Sequence, residues 1–290
     1  MPDEGYFPRG RSVLRRVHGE RMVGLHYGQR ALLIGAADPR NYVGTALSTA
    51  RPETPFARLA HTAKVFETVY FGTCTEADEV LERVARLHAR VRGVLPADAG
   101  PHPAGTPYAA DDPELALWTL AVHADSGRAL YEALVGPLSA HELDALWRDY
   151  VRFGELFGLA PRDAPASWSD FSEYWEDRLH SGTLYLTEGA RRAGLQSAFA
   201  IPVPLHMRPG MPVANLLIAG TVPEPIRELY GLRWDAAHEA AFRAVTASIR
   251  RSHRLLPHAM RRGSCTRVFD AVTAAERASI ATGRSFAVGP

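Results

Sequence analysis

The feature that most constrains this chain is a succession of apolar stripes at helical spacing, most of them opened or closed by a glycine, a proline or a capping residue. From Pro55 to Phe71, Leu59, Ala63, Phe66 and Tyr70 recur at i, i+4, i+7 and i+11, which draws one apolar face along a helix that Gly72 ends. Thr75 ahead of Glu76, Ala77 and Asp78 reads as a capping start for a second helix, striped by Val80, Val84, Leu87 and Val91 and closed by Gly93. The short turn between them predicts antiparallel packing. Asp111-Asp112-Pro113-Glu114 opens a third helix through Leu115, Trp118, Val122 and Ala129, which Gly136-Pro137 breaks. Ser139 with Glu142 is a capping box for the next, through Leu146, Tyr150 and Phe153 to Gly158, and Ser167 or Ser169 opens another through Phe171 and Leu179. Six prolines between Ile201 and Pro225 predict short helices broken by turns, and Trp234 to Leu256 predicts a last amphipathic helix. Strand signals are few, so the expected fold class is all-α.

The segment from Leu95 to Pro113 has no period and reads as a loop. No repeat or linker divides the 290 residues, and the expected organisation is an N-terminal extension over 1–16, one helical domain over 17–262 and a C-terminal tail over 263–290. With 46% hydrophobic residues the chain can bury a large core, which excludes disorder as its main state. Its net charge is +1, without the basic excess that nucleic acid demands. Of its 33 cations only Lys64 is a lysine. Two distant cysteines, Cys74 and Cys265, support neither a disulfide framework nor a cysteine zinc site, and a cytoplasmic location is expected. No apolar run reaches the length of a membrane-spanning helix.

No phosphate loop, Gly-x-Ser-x-Gly elbow or His-Glu-x-x-His pair occurs. What stands out is histidine and arginine on helices. Arg58, His61 and Thr62 fall at i, i+3 and i+4, so a cation, an imidazole and a hydroxyl share one face, which is otherwise only a solvated helix edge. His88 lies within the second stripe. A neutral imidazole there is either a satisfied core histidine or the axial ligand of a b-type haem iron. His123, beside Asp125 and Ser126, is the alternative ligand, and Asp125, if buried, needs an arginine or a helix end as partner. The histidines at 26, 102, 141, 180, 206, 238, 253 and 258 are expected at the surface.

These residues form a pattern. Arg58-Leu59-Ala60-His61-Thr62, the segment Leu87 to Gly93, Asp112-Pro113-Glu114-Leu115 before Trp118, and Asp125-Ser126 resemble the latex-clearing proteins (rubber oxygenases) and MpaB-type oxygenases. Gly136-Pro137-Leu138-Ser139, Gly154-Glu155-Leu156 and Arg227 to Leu232 continue the likeness, which spans about Val17 to Met260. The resemblance implies a globin-like all-α domain enclosing a haem b pocket, with His88 on the iron. It also implies a distal side built on an Arg-x-x-Lys-Thr arrangement, to which Arg58 and Thr62 correspond while His61 stands in the lysine's place. Two other positions depart from the family pattern. Asp38 replaces the histidine of an Ala-His-Pro triplet, and Leu120 that of a Trp-x-His triplet. The glutamate assigned as base in rubber cleavage has no counterpart, so that reaction is not expected.

The reading that follows is a haem b-dependent oxygenase or related oxidoreductase acting on a small, mainly apolar substrate, such as a natural-product intermediate, with dioxygen or peroxide. In it, Arg58 stabilises negative charge or holds a haem propionate, His61 is a distal acid/base or ligand, and Thr62 orients oxygen or water. The alternatives are a non-catalytic haem-binding or oxygen-sensing module, with His88 and His61 on opposite faces of the iron, and a haem-free helical protein.

Overall fold

The computed structural model describes residues 4–47 and 54–286. Among these, fourteen α-helices follow one another: α1 (Val13–His18), α2 (Arg21–Gly35), α3 (Pro39–Leu47), α4 (Pro55–Phe71), α5 (Cys74–His88), α6 (Pro113–Leu134), α7 (Ala140–Leu156), α8 (Trp168–His180), α9 (Glu188–Phe199), α10 (Met211–Thr221), α11 (Glu224–Tyr230), α12 (Ala236–His253), α13 (His258–Arg261) and α14 (Thr266–Ala281). The protein is all-α apart from one antiparallel hairpin, β1 (Arg92–Val94) with β2 (Pro107–Ala109), in which Gly93 faces Tyr108. The hairpin brackets the segment that lacks helical period. No helix of the described residues is long and apolar enough to cross a membrane.

Local chemistry explains most boundaries. α5 begins in a capping box formed by Thr73 and Glu76, two residues before Thr75, because the reciprocal pair needs its acid at the third helical position. Ser139 with Glu142 and Ser167 with Asp170 make the same device for α7 and α8. Asp112 caps α6, accepting from Glu114 N and Leu115 N ahead of Pro113. The proline-rich stretch resolves into a 3₁₀ turn over Leu205–Gly210 and the short helices α10 and α11, each with proline in its first turn.

α2 and α6 form the central pair, with Trp118, Ala121 and Leu130 of α6 fully buried. Arg30, 1% exposed, ties three elements together: Nη2 meets Asp125 at 2.6 Å, Nη1 donates to Ser126 Oγ at 2.8 Å, and Nε and Nη2 donate to Thr221 O. Arg128 holds the other oxygen of Asp125 at 2.6 Å. Burial alone would raise the Asp125 pKa, but the charges of Arg30 and Arg128 outweigh it and hold the carboxyl below its ordinary value. A second anchor is Asp38, fully buried, which accepts from Arg40 N and pairs with Arg40 and Arg178.

The described segments on either side of the expected domain pack onto it. Phe7, Leu14 and Val17 are buried before or within α1. Beyond Arg262, the stretch that reads as a tail folds as α14 and packs along α4.

Candidate functional site

α4 carries the first candidate residues, and its placement is set by α14. Thr54, the residue before α4, makes no side-chain cap. Glu276 of α14, 0% exposed, takes over: its two carboxylate oxygens accept from Phe56 N at 2.9 Å and Ala57 N at 2.8 Å. The service is returned at the other end. Glu67 of α4 accepts from Cys265 N at 2.7 Å and from the hydroxyls of Ser264 and Thr266, where α14 starts. Lys64 meets Asp270 between the two caps, and Phe56 packs edge-on against Phe286 with ring centroids 5.4 Å apart. Each helix thus places a carboxylate at the positive end of the other.

On α4, Arg58, His61 and Thr62 share one exposed face, as their spacing predicts. Thr62 Oγ1 donates back to Arg58 O at 3.2 Å. Arg58 is exposed as a residue, yet burial of its guanidinium lowers that group's pKa. The His61 imidazole makes no hydrogen bond among the described residues.

His88 is the last residue of α5, half-buried, at the end of that helix farthest from the Gly72-Thr73 turn, just as Arg58 lies toward the far end of α4. Burial lowers its pKa, so the ring is neutral at physiological pH. Its imidazole likewise makes no hydrogen bond among the described residues, and no ring contact joins it to Arg58, His61 or Thr62. The glycine closing this segment has a packing reason: a Cβ at Gly93 would fall 2.6 Å from the Tyr108 hydroxyl.

His123 sits elsewhere, in the interior between α6 and α4. Its ring meets Phe66 edge-on at 5.0 Å and Tyr27 at 6.1 Å. Burial lowers its pKa to about 4, and its Nδ1 is enclosed without a partner. Beside it stands His18, which sequence reasoning missed. Tyr150 donates to His123 O at 3.1 Å, so it must accept from His18 Nε2 at 2.7 Å; His18 Nδ1 is then a buried acceptor with no donor. Burial, aided by His123, pushes the His18 pKa down to about 3. The ring stacks on Tyr70 at 4.5 Å and meets Tyr27 edge-on at 4.6 Å. The available signal is Phe66 and Tyr70, one turn apart on the inner face of α4, turned toward both imidazoles.

Two surface histidines in the sequence reading are buried instead. His26 bonds Met22 O one turn back along α2, and His253 meets Glu20 at 2.9 Å. Cys74 and Cys265 form no disulfide among the described residues. Burial raises the Cys265 thiol to about 12, so it is not poised as a thiolate ligand. The described residues contain no cluster of three or more His, Cys, Asp or Glu that could hold a metal ion by themselves.

Most of the motif residues are occupied with the fold. Asp112, Ser139 and Glu142 cap helices; Asp125 and Ser126 hold Arg30; Glu114 pairs with Arg40 and Arg178; Gly231 ends α11 in a left-handed conformation. Asp38, at the position of a family histidine, is an ion-pair anchor. The imidazoles of His61 and His88 have no such employment. In comparisons with known proteins, the family described as ER-bound oxygenase mpaB/B'/Rubber oxygenase, catalytic domain, matches residues 15–251. No curated protein and no solved structure matches the chain.

Proposed function

Because this chain belongs to the mpaB and rubber oxygenase family and carries its catalytic domain, we propose that it is a haem b-dependent oxygenase acting on a small, mainly apolar molecule. The observation that carries the proposal is His88: a half-buried imidazole, kept neutral by burial, with no hydrogen bond inside the described fold. A haem would need an imidazole nitrogen from the protein rather than a cluster of ligands, and the unbonded ring of His88 would supply it.

When bound, the haem supplies the activation of dioxygen or peroxide that no amino-acid side chain provides. The chain's own residues do the rest. His88 would hold the iron through a ring nitrogen. Arg58 holds a carboxylate of the cofactor or stabilises negative charge that develops beside it, in a setting where partial desolvation strengthens its field. Thr62, whose hydroxyl hydrogen is committed to Arg58 O, presents its oxygen as an acceptor and so orients a donor such as water. His61 holds or delivers a proton, which an imidazole can do near neutral pH and a lysine in its place would do less readily.

A second ligand reading rests on His123, whose enclosed Nδ1 lacks a partner. Visible spectra after expression with haem supplied separate the readings. The expected result is a Soret band in the wild type that His88→Ala abolishes and His123→Ala leaves in place. The reverse pattern transfers the ligand to His123, and a well-folded wild type without any Soret band overturns haem binding. A ferrous form closed by both His88 and His61 favours the non-catalytic module, whereas a form that exchanges ligands freely favours the oxygenase.

A further inference from the structure

Between Glu239 and Asp270 the chain contains seven arginines and no acidic residue, although its totals of cations and acids are almost equal. In the fold this stretch is most of α12, the turn after it, α13 and the first residues of α14, with Arg250, Arg251, Arg254 and Arg261 at or beside the turn. Both ends of that turn are fastened to the α1–α2 junction. Glu20, buried, accepts from His253 Nε2 at 2.9 Å and from Arg262 Nε at 3.0 Å, while Arg21 donates to Arg262 O and Gly263 N donates to Gly19 O. Everything from Arg254 to Met260 is exposed.

The apolar side chains at this turn are out of place for a surface in water. Leu255 is 82% exposed, Met260 60% and Leu256 40%. Scattered apolar residues on a surface are ordinary, but three within six residues, held out by a fastened turn, are a patch. Next to them Arg250, Arg251 and Arg254, with Ala247, line an open cleft on α12. Arginines framing protruding leucine and methionine suit a phosphate-bearing interface with hydrocarbon beneath it: the aliphatic tips enter the acyl boundary and the guanidinium groups stay with the headgroups.

We infer that the turn joining α12 to α13 is a docking surface for an anionic lipid bilayer. Glu20, which fastens both ends of the turn, is buried and bonded on both oxygens, and Glu132, whose carbonyl accepts from Arg250, has its carboxylate paired with Arg128, so neither opposes a negative surface. Nucleic acid would use the arginines but leave Leu255 and Met260 in water. The inference is independent of haem binding, because none of these residues lies on α4 or α5.

The test is flotation with phosphatidylcholine vesicles, with and without phosphatidylglycerol, using the full chain. Binding is expected only to the anionic vesicles and should weaken as salt rises. Replacing Arg251→Gln and Arg254→Gln together should reduce it by about fivefold per arginine, since each cation near such a surface contributes on the order of a factor of five. Leu255→Ser with Met260→Ser should reduce it about tenfold or more while thermal melting stays unchanged, because the replaced side chains are exposed. Absence of flotation with anionic vesicles overturns the inference, as does full binding by the Leu255/Met260 pair. It is also overturned by tight binding of an oligonucleotide without vesicle binding, or by a dimer that Leu255→Ser dissociates.

Discussion

Arg58 and Asp125 are both charged side chains, one on an exposed helix face and one buried, and they carry opposite kinds of consequence. Asp125 balances a guanidinium that is 1% exposed. Asp125→Ala is expected to cost on the order of 3–5 kcal/mol, read as a lower urea midpoint, because Arg30 is left buried without its counter-charge. Arg58→Ala is expected to act on turnover. In single-turnover assays of the haem-loaded protein it should slow oxygenation by on the order of 10²-fold, with haem affinity changed far less. A rate equal to wild type would remove Arg58 from the site. The buried imidazoles act through pH. His18 titrates near 3 and His123 near 4 in the folded protein, against about 6.5 when unfolded. The unfolded chain therefore takes the protons first, so stability is full above about pH 6.5 and falls as pH drops toward the folded values. Melting temperature against pH should show that slope, and His123→Phe should make it shallower.

At the scale of elements, the helices that could be read from sequence are those with one wet face. α4, α5, α6, α7 and α12 each show a stripe, and the capping pairs Ser139/Glu142 and Asp112/Pro113 sit where the sequence puts them. α2 has a stripe but no single wet face opposite it. It buries Val23, Tyr27, Ala31 and Ile34 on one side and His26 and Leu33 on others, and Gly24 and Gly28 lower its intrinsic helicity. Those glycines have a use: Gly24 faces the Cys265 sulfur and Gly28 faces Leu59, so α4 and the start of α14 come close to α2 there. The candidate site was legible in the same uneven way. The spacing of Arg58, His61 and Thr62 and the stripe placing His88 are local and visible. The His18–Tyr150 bond joins residues 132 apart and has no local trace. The reciprocal caps of α4 and α14 are equally non-local. Glu276→Ala should strand the buried Phe56 amide and the part-buried Ala57 amide and cost about 2–3 kcal/mol, and Glu67→Ala about 1–2 kcal/mol. A double-mutant cycle in urea should show the two coupled, since both act on one helix pair.

For the molecule as a whole, the family likeness covers residues 15–251, while the structure continues to use residues well beyond that range. His253 and Arg262 fasten Glu20, Cys265 receives Glu67, and Phe286 is packed on Phe56 and accepts from Gln196 Nε2 at 2.8 Å. A chain ending at Arg262 should accordingly melt at a lower temperature and lose amide protection first over α4, measurable by hydrogen exchange, with α6 and α7 protected longer. The Glu276 carboxylate gives this a sharper meaning. The part of the chain recognisable by kinship and the part that must be present for the helix bearing Arg58, His61 and Thr62 to begin where it does are different lengths of polypeptide. The candidate face of α4 and the carboxylate that fixes where α4 begins therefore lie on opposite sides of the end of the family match, so a change in α14 can move that face without altering any residue on it.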